Sequence, residues 1–514
     1  MKINSLSATK ILTSCLALFV GVLSASKLQG AEGPEQTDKK VVAFPGDSPL
    51  DYGDEPMRYL ENDRVKLGLD LSLGGAVTFL EDKANNSGNM INSHDWGRQI
   101  QLSYYSGPAP YVGPNGEQPS TSWAGLGWNP IQSGDCGGYR SQVLEFTKDS
   151  ESVAFLRARP MLWPHSGVPA ECVFECRYQL TENGFTLDAT IVNNRSDKTQ
   201  YNARAQETPA LYTNAPWYKL VSYLGDKPFE NEPITTLVDK NDGNGWPWLN
   251  YYTPEYWSAL VNENNYGIGV YQPYSGVSSS GFHGGDEPKG KDLGDKSIAT
   301  GYIAPRERTI LDWNIRRAYR ATFIVGSVDE IRNTVYKLAK CDVVETPNWI
   351  FKDDRQNWSY DNAIDEGYPI ADSLKIILES ERQAVAKSPI GFWKAENAPV
   401  LNVDAVLSAD VQDAEAEQTI TVSIIPVSPA DSVGYLAWSE GNKNVEQDRA
   451  EKEKTYPRLS NISVDVPVKF DGQRRTIAVD LTDVQGYDGA MKDVMIFFPK
   501  IAGKATIYSV GFSK

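Results

Sequence analysis

An all-β fold is what this sequence predicts, from three observations. From about residue 58 to 340, short runs alternate apolar and polar side chains, among them "RVKLGLDLSL", "SVAFLRARPMLW", "GFTLDATIVNN" and "YGIGVYQPY", with Gly, Asn, Asp and Pro between them. Alternation of this kind puts every second residue on the buried face of an antiparallel strand. From residue 399 the pattern resumes in seven or eight runs, enough for a separate β-sandwich. Helix signals are confined to two stretches. The architecture expected is a large antiparallel β domain and a smaller β-sandwich or jelly-roll, joined by a short helical linker.

The elements follow in chain order. Residues 1–26 have the form of a signal peptide: Lys2 and Lys10, then the apolar run "ILTSCLALFVGVL", too short to span a bilayer, then "SAS" for cleavage. "LTSC" at 12–15 has the outline of a lipoprotein box, but here the apolar run follows Cys15 instead of preceding it. A secreted or periplasmic protein is expected. Residues 27–57 are polar and carry Gly and Pro, as an extended N-terminal segment would. Residues 58–340 form the large β domain. "SVDEIRNTVYKLAK", 327–340, has Ser327 as an N-cap, acids in its first turn and lysines in its last. "ADSLKIILESERQAVAK", 371–387, is the second amphipathic stretch, so 341–398 is taken as a linker with a helix. Residues 399–514 are the C-terminal sandwich.

Charge and cysteines narrow the function. Removing the leader takes away two lysines and no acids, moving the net charge from −17 to −19. That balance disfavours nucleic acid and anionic membrane surfaces, which need basic patches, but a local Arg cluster could still take an acidic polysaccharide. In an exported chain Cys136, Cys172, Cys176 and Cys341 favour disulfides over metal. Cys172 and Cys176 share a strand face roughly 13 Å apart, so neither is expected to pair with the other. No cofactor is expected; "DKNDGNG", 239–245, carries only a partial calcium-loop pattern.

Aromatics are concentrated. Nine of the 13 tryptophans fall between Trp96 and Trp313, several in Gly- and Pro-flanked stretches such as "TSWAGLGWNP", "LWPHSG" and "NGWPWLNYYTPEYW". Loops lie on the surface, and sugars pair apolar C–H faces with a rim of hydroxyls that suits aromatic platforms beside Asn, Asp, Gln and Arg. The expected partner is a polysaccharide or oligosaccharide. "DLSLGGAVTFLEDKANN", 70–86, resembles the opening of galactose mutarotase-like domains, and "YWSALVNENNYGIGVYQP", 256–273, is similar to a later strand pair in related sugar-active domains. The resemblance implies a β-supersandwich over little more than half the chain. The C-terminal part, with "FDGQRRTIAVDLTDV" and "ATIYSVGFSK", is similar to carbohydrate-binding modules. The late glutamate motif of mutarotases has no counterpart here, which puts ring-opening epimerisation in doubt.

Candidate residues cluster in two stretches. In "SHDWGRQIQLSYY", 93–105, His94, Asp95, Trp96 and Arg98 precede a strand. Ile100, Leu102 and Tyr104 share one face of it; Gln99, Gln101, Ser103 and Tyr105 share the other, a surface suited to sugar. In "ARAQETPALYTN", 203–214, Glu207 ends a strand-like run among apolar neighbours that could keep it protonated as a general acid. Asp95, held ionised beside His94 and Arg98, is its partner; Asp135 and Glu255 stand in reserve. Arg98, Gln101, Tyr139 and Tyr212 are expected to contact substrate, with Trp96, Trp128, Trp163 and Trp248 as platforms. The first reading is a glycoside hydrolase, which needs two carboxyl groups. The alternatives are a polysaccharide lyase, using His94 or His165 with Tyr104 or Tyr139 and Arg98, and a non-catalytic carbohydrate-binding protein.

Overall fold

Alternation delivers the sheets. The computed structural model describes residues 40–93, 95–239, 249–283, 300–343, 346–410, 417–428, 454 and 459–513. Among them an antiparallel sheet of seven strands runs in the order Met161–Leu162, Pro130–Ile131, Gln101–Ser103, Arg204–Asn214, Thr300–Thr309, Val277–His283, Leu249–Tyr252. A second antiparallel sheet of nine strands has Cys172–Thr181, Gly184–Asn193 and Arg316–Ser327 near its middle. Leu102, Tyr104, Leu162, Leu211 and Ile303 from the first sheet share one buried core with Phe174, Tyr178, Leu187, Ile191 and Phe323 from the second. Burial of such side chains contributes about 25 cal/mol per Å² of apolar surface and fixes the register of both sheets.

The other face of the seven-stranded sheet is left outside that core. Directly paired residues on antiparallel strands project the same way. Arg306 pairs with Glu207, Glu207 with Ser103, Ser103 with Ile131 and Ile131 with Met161, a single row across five strands. Between Glu207 and Leu211 the register shifts. The extra residue inverts the alternation, so that Tyr212 joins Glu207 on the outer face while Leu211 remains in the core.

Gly74 and Gly75, in the stretch that resembles mutarotase-like domains, have φ of 60° and 74°. A Cβ on Gly74 would lie 2.2 Å from the Gln132 carbonyl, and one on Gly75 as near to Leu156, so only glycine fits this turn. The following strand, Ala76–Asp82, pairs with Val65–Asp70.

Several expectations change. The helix at Val328–Asp342 forms with Ser327 as its N-cap, as its sequence predicts, and Glu330 completes a reciprocal capping box. The helix expected within 371–387 does not form. That stretch is two strands, Leu374–Leu378 and Val385–Lys387, pairing respectively with Gly503–Ser513 and Ala490–Phe497. Asn348–Ile350 also pairs with Gly503–Ser513, so strands of 341–398 belong to the two C-terminal sheets. Residues 40–56 are strapped down: Lys40–Val41 pairs with Tyr139–Arg140, and Asp47 bonds Arg159 at 2.8 Å. Among the described residues all four cysteines, Cys136, Cys172, Cys176 and Cys341, are free: Cys172 and Cys176 point into the core, while Cys341 is exposed on the helix. The leader, 1–26, and the calcium-like stretch from 240 lie outside the described residues.

A buried ionic knot joins the large domain to the C-terminal sheets. Arg355 bonds Asp365 at 2.6 and 2.7 Å and also pairs with Asp312; Gln200 and Tyr360 complete the shell around Asp365. Burial opposes the Arg355 charge, but Asp365 and Asp312 override it and raise its pKa. Burial likewise opposes the charge on Asp365, and Arg355 lowers its pKa below the ordinary value.

Arg355→Ala leaves two buried carboxylates without their cation and is expected to cost about 3–5 kcal/mol in urea unfolding. Because the folded pKa of Asp365 is depressed, its contribution is present above the unfolded value near pH 4 and is lost as pH falls through the folded one. Asp365→Asn should therefore flatten the acid limb of the stability curve. A chain truncated after Asn397 removes the partners of four strands between 348 and 394 and is expected to fail to fold by circular dichroism.

Candidate functional site

Glu207 sits at the centre of the outer face. Its Oε1 accepts a hydrogen bond from the Tyr302 phenol at 2.5 Å and from Arg306 Nη1 at 3.2 Å. The Glu207 charge also acts on the Tyr105 phenol. Tyr302 in turn lies 4.8 Å from the Tyr212 ring. Burial, reinforced by the Glu207 charge, raises the phenol pKa of Tyr105, Tyr212 and Tyr302, so all three stay protonated near neutrality. The apolar neighbours expected from "ETPAL" are not what surrounds the carboxyl. Alternation turns Leu211 into the core, and the true neighbours arrive from the Thr300–Thr309 strand.

The 89–98 loop brings in the second carboxyl group. Asn92 donates its backbone N–H to the Tyr212 carbonyl at 3.1 Å, which fixes the loop to the end of the Glu207 strand. The Asn92 side chain then holds Asp95 Oδ2 at 3.1 Å, and Arg98 pairs with the same oxygen at 3.1 Å. Both Asp95 and Arg98 are partly exposed, at 24% and 29% of their side chains, and so remain open to a ligand. Arg98 also acts electrostatically on the Tyr212 phenol, lowering a pKa that burial and Glu207 raise. Tyr212 thus feels Glu207 and Arg98, the ion-pair partner of Asp95.

On its other side the same loop joins an aromatic cluster. Trp96 donates from Nε1 to the Asp135 carbonyl at 2.6 Å and lies under the Arg140 guanidinium at 5.4 Å. Gly97 packs against the Trp163 ring, which meets the exposed Trp123 edge-on at 5.7 Å. Tyr139, half-buried, packs on Gly167. Asp135 organises these loops: its Oδ1 accepts from the N–H groups of Gly137 and Tyr139 at 2.8 and 3.0 Å, and its Oδ2 from Gly167 at 2.6 Å. It is a structural carboxylate and not the reserve acid.

Other expectations are corrected. Trp128 is fully buried and its ring receives the Arg195 guanidinium at 5.3 Å, so it is no platform. Gln101 is buried and bracketed between the Gly97 carbonyl and the Ser133 N–H, which removes it from substrate contact. Glu255 is buried in an ion pair with Arg332 at 2.9 Å and accepts from Tyr336 and Trp257. Tyr104 lies in the core, its pKa pushed well up by burial. His165 is buried against Tyr111, and burial lowers its pKa although the nearby Tyr111 and Glu117 backbones oppose the shift. His94 and Trp248 lie outside the described residues. Tyr105 was expected on the sugar-facing side of its strand, but Tyr302 and Arg306 were not among the expected site residues. Their signal was available in "TGYIAPRERT", where Tyr302, Ala304 and Arg306 occupy one face at period two.

No protein-family model matches the chain, and a search of curated proteins gives no significant match. Solved structures similar to it include a galactose mutarotase-like protein from Lactobacillus casei, at 15% identity and a TM-score of 0.34, covering 52% of this chain and 99% of that one. A galactose mutarotase related enzyme from Lactobacillus acidophilus has 13% identity and a TM-score of 0.34, covering 53% and 97%. An alpha-galactosidase from Geobacillus stearothermophilus has 11% identity and a TM-score of 0.33, covering 55% and 41%.

Asp135→Ala strands three backbone donors at once. It is expected to cost about 3 kcal/mol in denaturant unfolding and to change the fluorescence of Trp96 and Trp163. A neutral effect on both would contradict the organising role.

Proposed function

We propose that the chain is a carbohydrate-active enzyme, in first reading a glycoside hydrolase, working on the outer face of the seven-stranded sheet. The observation that carries this is the row of Glu207 and Tyr212 on one face, to whose end the Asp95 loop is tied by the Asn92 backbone, with Arg98 pairing Asp95 and acting on the Tyr212 phenol. Two carboxyl groups flanking the bond is what acid–base cleavage of a glycosidic bond requires, and Glu207 and Asp95 are the pair this reading assigns to it. Trp96, Trp163 and Trp123 supply stacking surface beside it for further sugar rings. A leader at 1–26 would place this chemistry outside the cytoplasm.

The roles follow from the hydrogen bonds. Glu207, receiving from the Arg306 guanidinium and the Tyr302 phenol, acts as base or nucleophile, the reverse of the role its sequence neighbours implied. Asp95 is the more open group, and a sugar that draws Arg98 away would leave it free to protonate the leaving oxygen. Arg98, Tyr139 and Tyr212 serve to orient the substrate.

The full set of donors around Glu207 also favours a second reading, a binding protein that holds sugar hydroxyls without cleaving. The lyase alternative has less support, because Tyr104 and His165 are buried.

Reducing-sugar release from a panel of neutral and acidic glycans decides among the three. Glu207→Gln and Asp95→Asn are each expected to lower the rate by about 10²–10⁴ with the fold intact. Near wild-type turnover of Glu207→Gln would end the hydrolase assignment. Ultraviolet absorbance from an unsaturated product would transfer it to a lyase, and binding without turnover would leave a sugar-binding protein.

A further inference from the structure

The charges around Tyr105 do not balance. Two guanidinium groups approach its ring, Arg204 at 5.6 Å and Arg306 at 5.8 Å from the centroid. Arg306 is answered by Glu207. Arg98, on the neighbouring loop, is answered by Asp95. Arg204 forms no ion pair among the described residues. Its Nη1 donates to two backbone carbonyls, those of Ser106 at 3.0 Å and Leu126 at 2.7 Å, and both acceptors are neutral. Burial and the nearby Arg306 lower its pKa, and no carboxylate is among the opposing influences. Tyr105 itself stays protonated and offers no compensating charge.

A half-buried cation without a counter-ion is costly, and the surplus is conspicuous in a chain whose net charge is −17. An anionic group on the ligand would supply the missing charge, and guanidinium groups match carboxylate and sulfate oxygens in geometry. We propose that the sugar taken at this site is acidic, its carboxylate or sulfate lodging against Arg204 and Arg306 over the Tyr105 ring. This rests on the carbohydrate reading above and narrows its substrate class from glycans in general to uronate-bearing or sulfated ones.

The test uses matched oligosaccharides and the full chain, by calorimetric titration. One pair is a uronate oligosaccharide and its carboxyl-reduced form; the other is a sulfated oligosaccharide and its desulfated form. The acidic member of at least one pair is expected to bind about tenfold more tightly at low salt, and the pair that discriminates identifies the anion. The advantage should shrink with added salt as the charges are screened. Arg204→Gln should remove most of the preference while keeping affinity for the neutral member; Arg204→Lys, which keeps the charge, should restore part of it. If Arg204→Gln does not fold, the salt-dependent preference of the wild-type chain still decides. Equal affinity within both pairs, or preference for the neutral members, would overturn the inference while leaving the carbohydrate reading intact. Binding to none of the four would overturn both.

Discussion

The period-two geometry of two neighbouring strands, Arg204–Asn214 and Thr300–Thr309, is the constraint on which the candidate site depends. Leu211 and Ile303 must enter the core between the large sheets, and burial of that core fixes their direction. Everything on the alternate positions is then committed to the outer face. Glu207, Tyr212, Tyr302 and Arg306 therefore meet because the core leaves them no other side. The register shift between Glu207 and Leu211 is the single irregularity in this scheme, and it is what allows Tyr212 to share a face with Glu207.

Around that row, loops are held by backbone hydrogen bonds and by buried polar side chains. Asn92 ties the Asp95 loop to the sheet through Tyr212, while Asp135 ties two aromatic loops to each other. Asp135 satisfies three backbone donors with one side chain, an economical way to stiffen a segment that has no ladder of its own. The open ion pair of Asp95 and Arg98 contrasts with the sealed ones at Glu255 and Asp365. Sealed pairs lock elements together. An accessible pair can exchange partners, which is what a ligand site needs.

Much of the fold was legible in the residues, because alternation and capping are local signals. The strands of the large domain, the Ser327 cap and the split faces of 99–105 all follow from neighbours in sequence. The failures share a cause. "LKIILESERQAVAK" spaces its apolar residues as a helix would, yet it is two short strands around a polar turn, paired with chain more than a hundred residues later. Trp128 follows a glycine and stands two residues before a proline, like a loop residue, but a bridge to Ser106 draws it into the core. Glu207 was recognised as a candidate, although its real neighbours, Tyr302 and Arg306, lie 95 and 99 residues away. Local sequence could mark the carboxyl group but could not describe its surroundings.

The central claim is that sugar binds on the outer face of the seven-stranded sheet, over Tyr105 and Tyr212. A crystal structure of the Glu207→Gln variant soaked with an oligosaccharide found to bind in solution tests this most directly. The account predicts a sugar ring against Tyr212 within hydrogen-bonding reach of Asp95 and Arg98. A ligand seated instead on the C-terminal sheets, with this face empty, would contradict it.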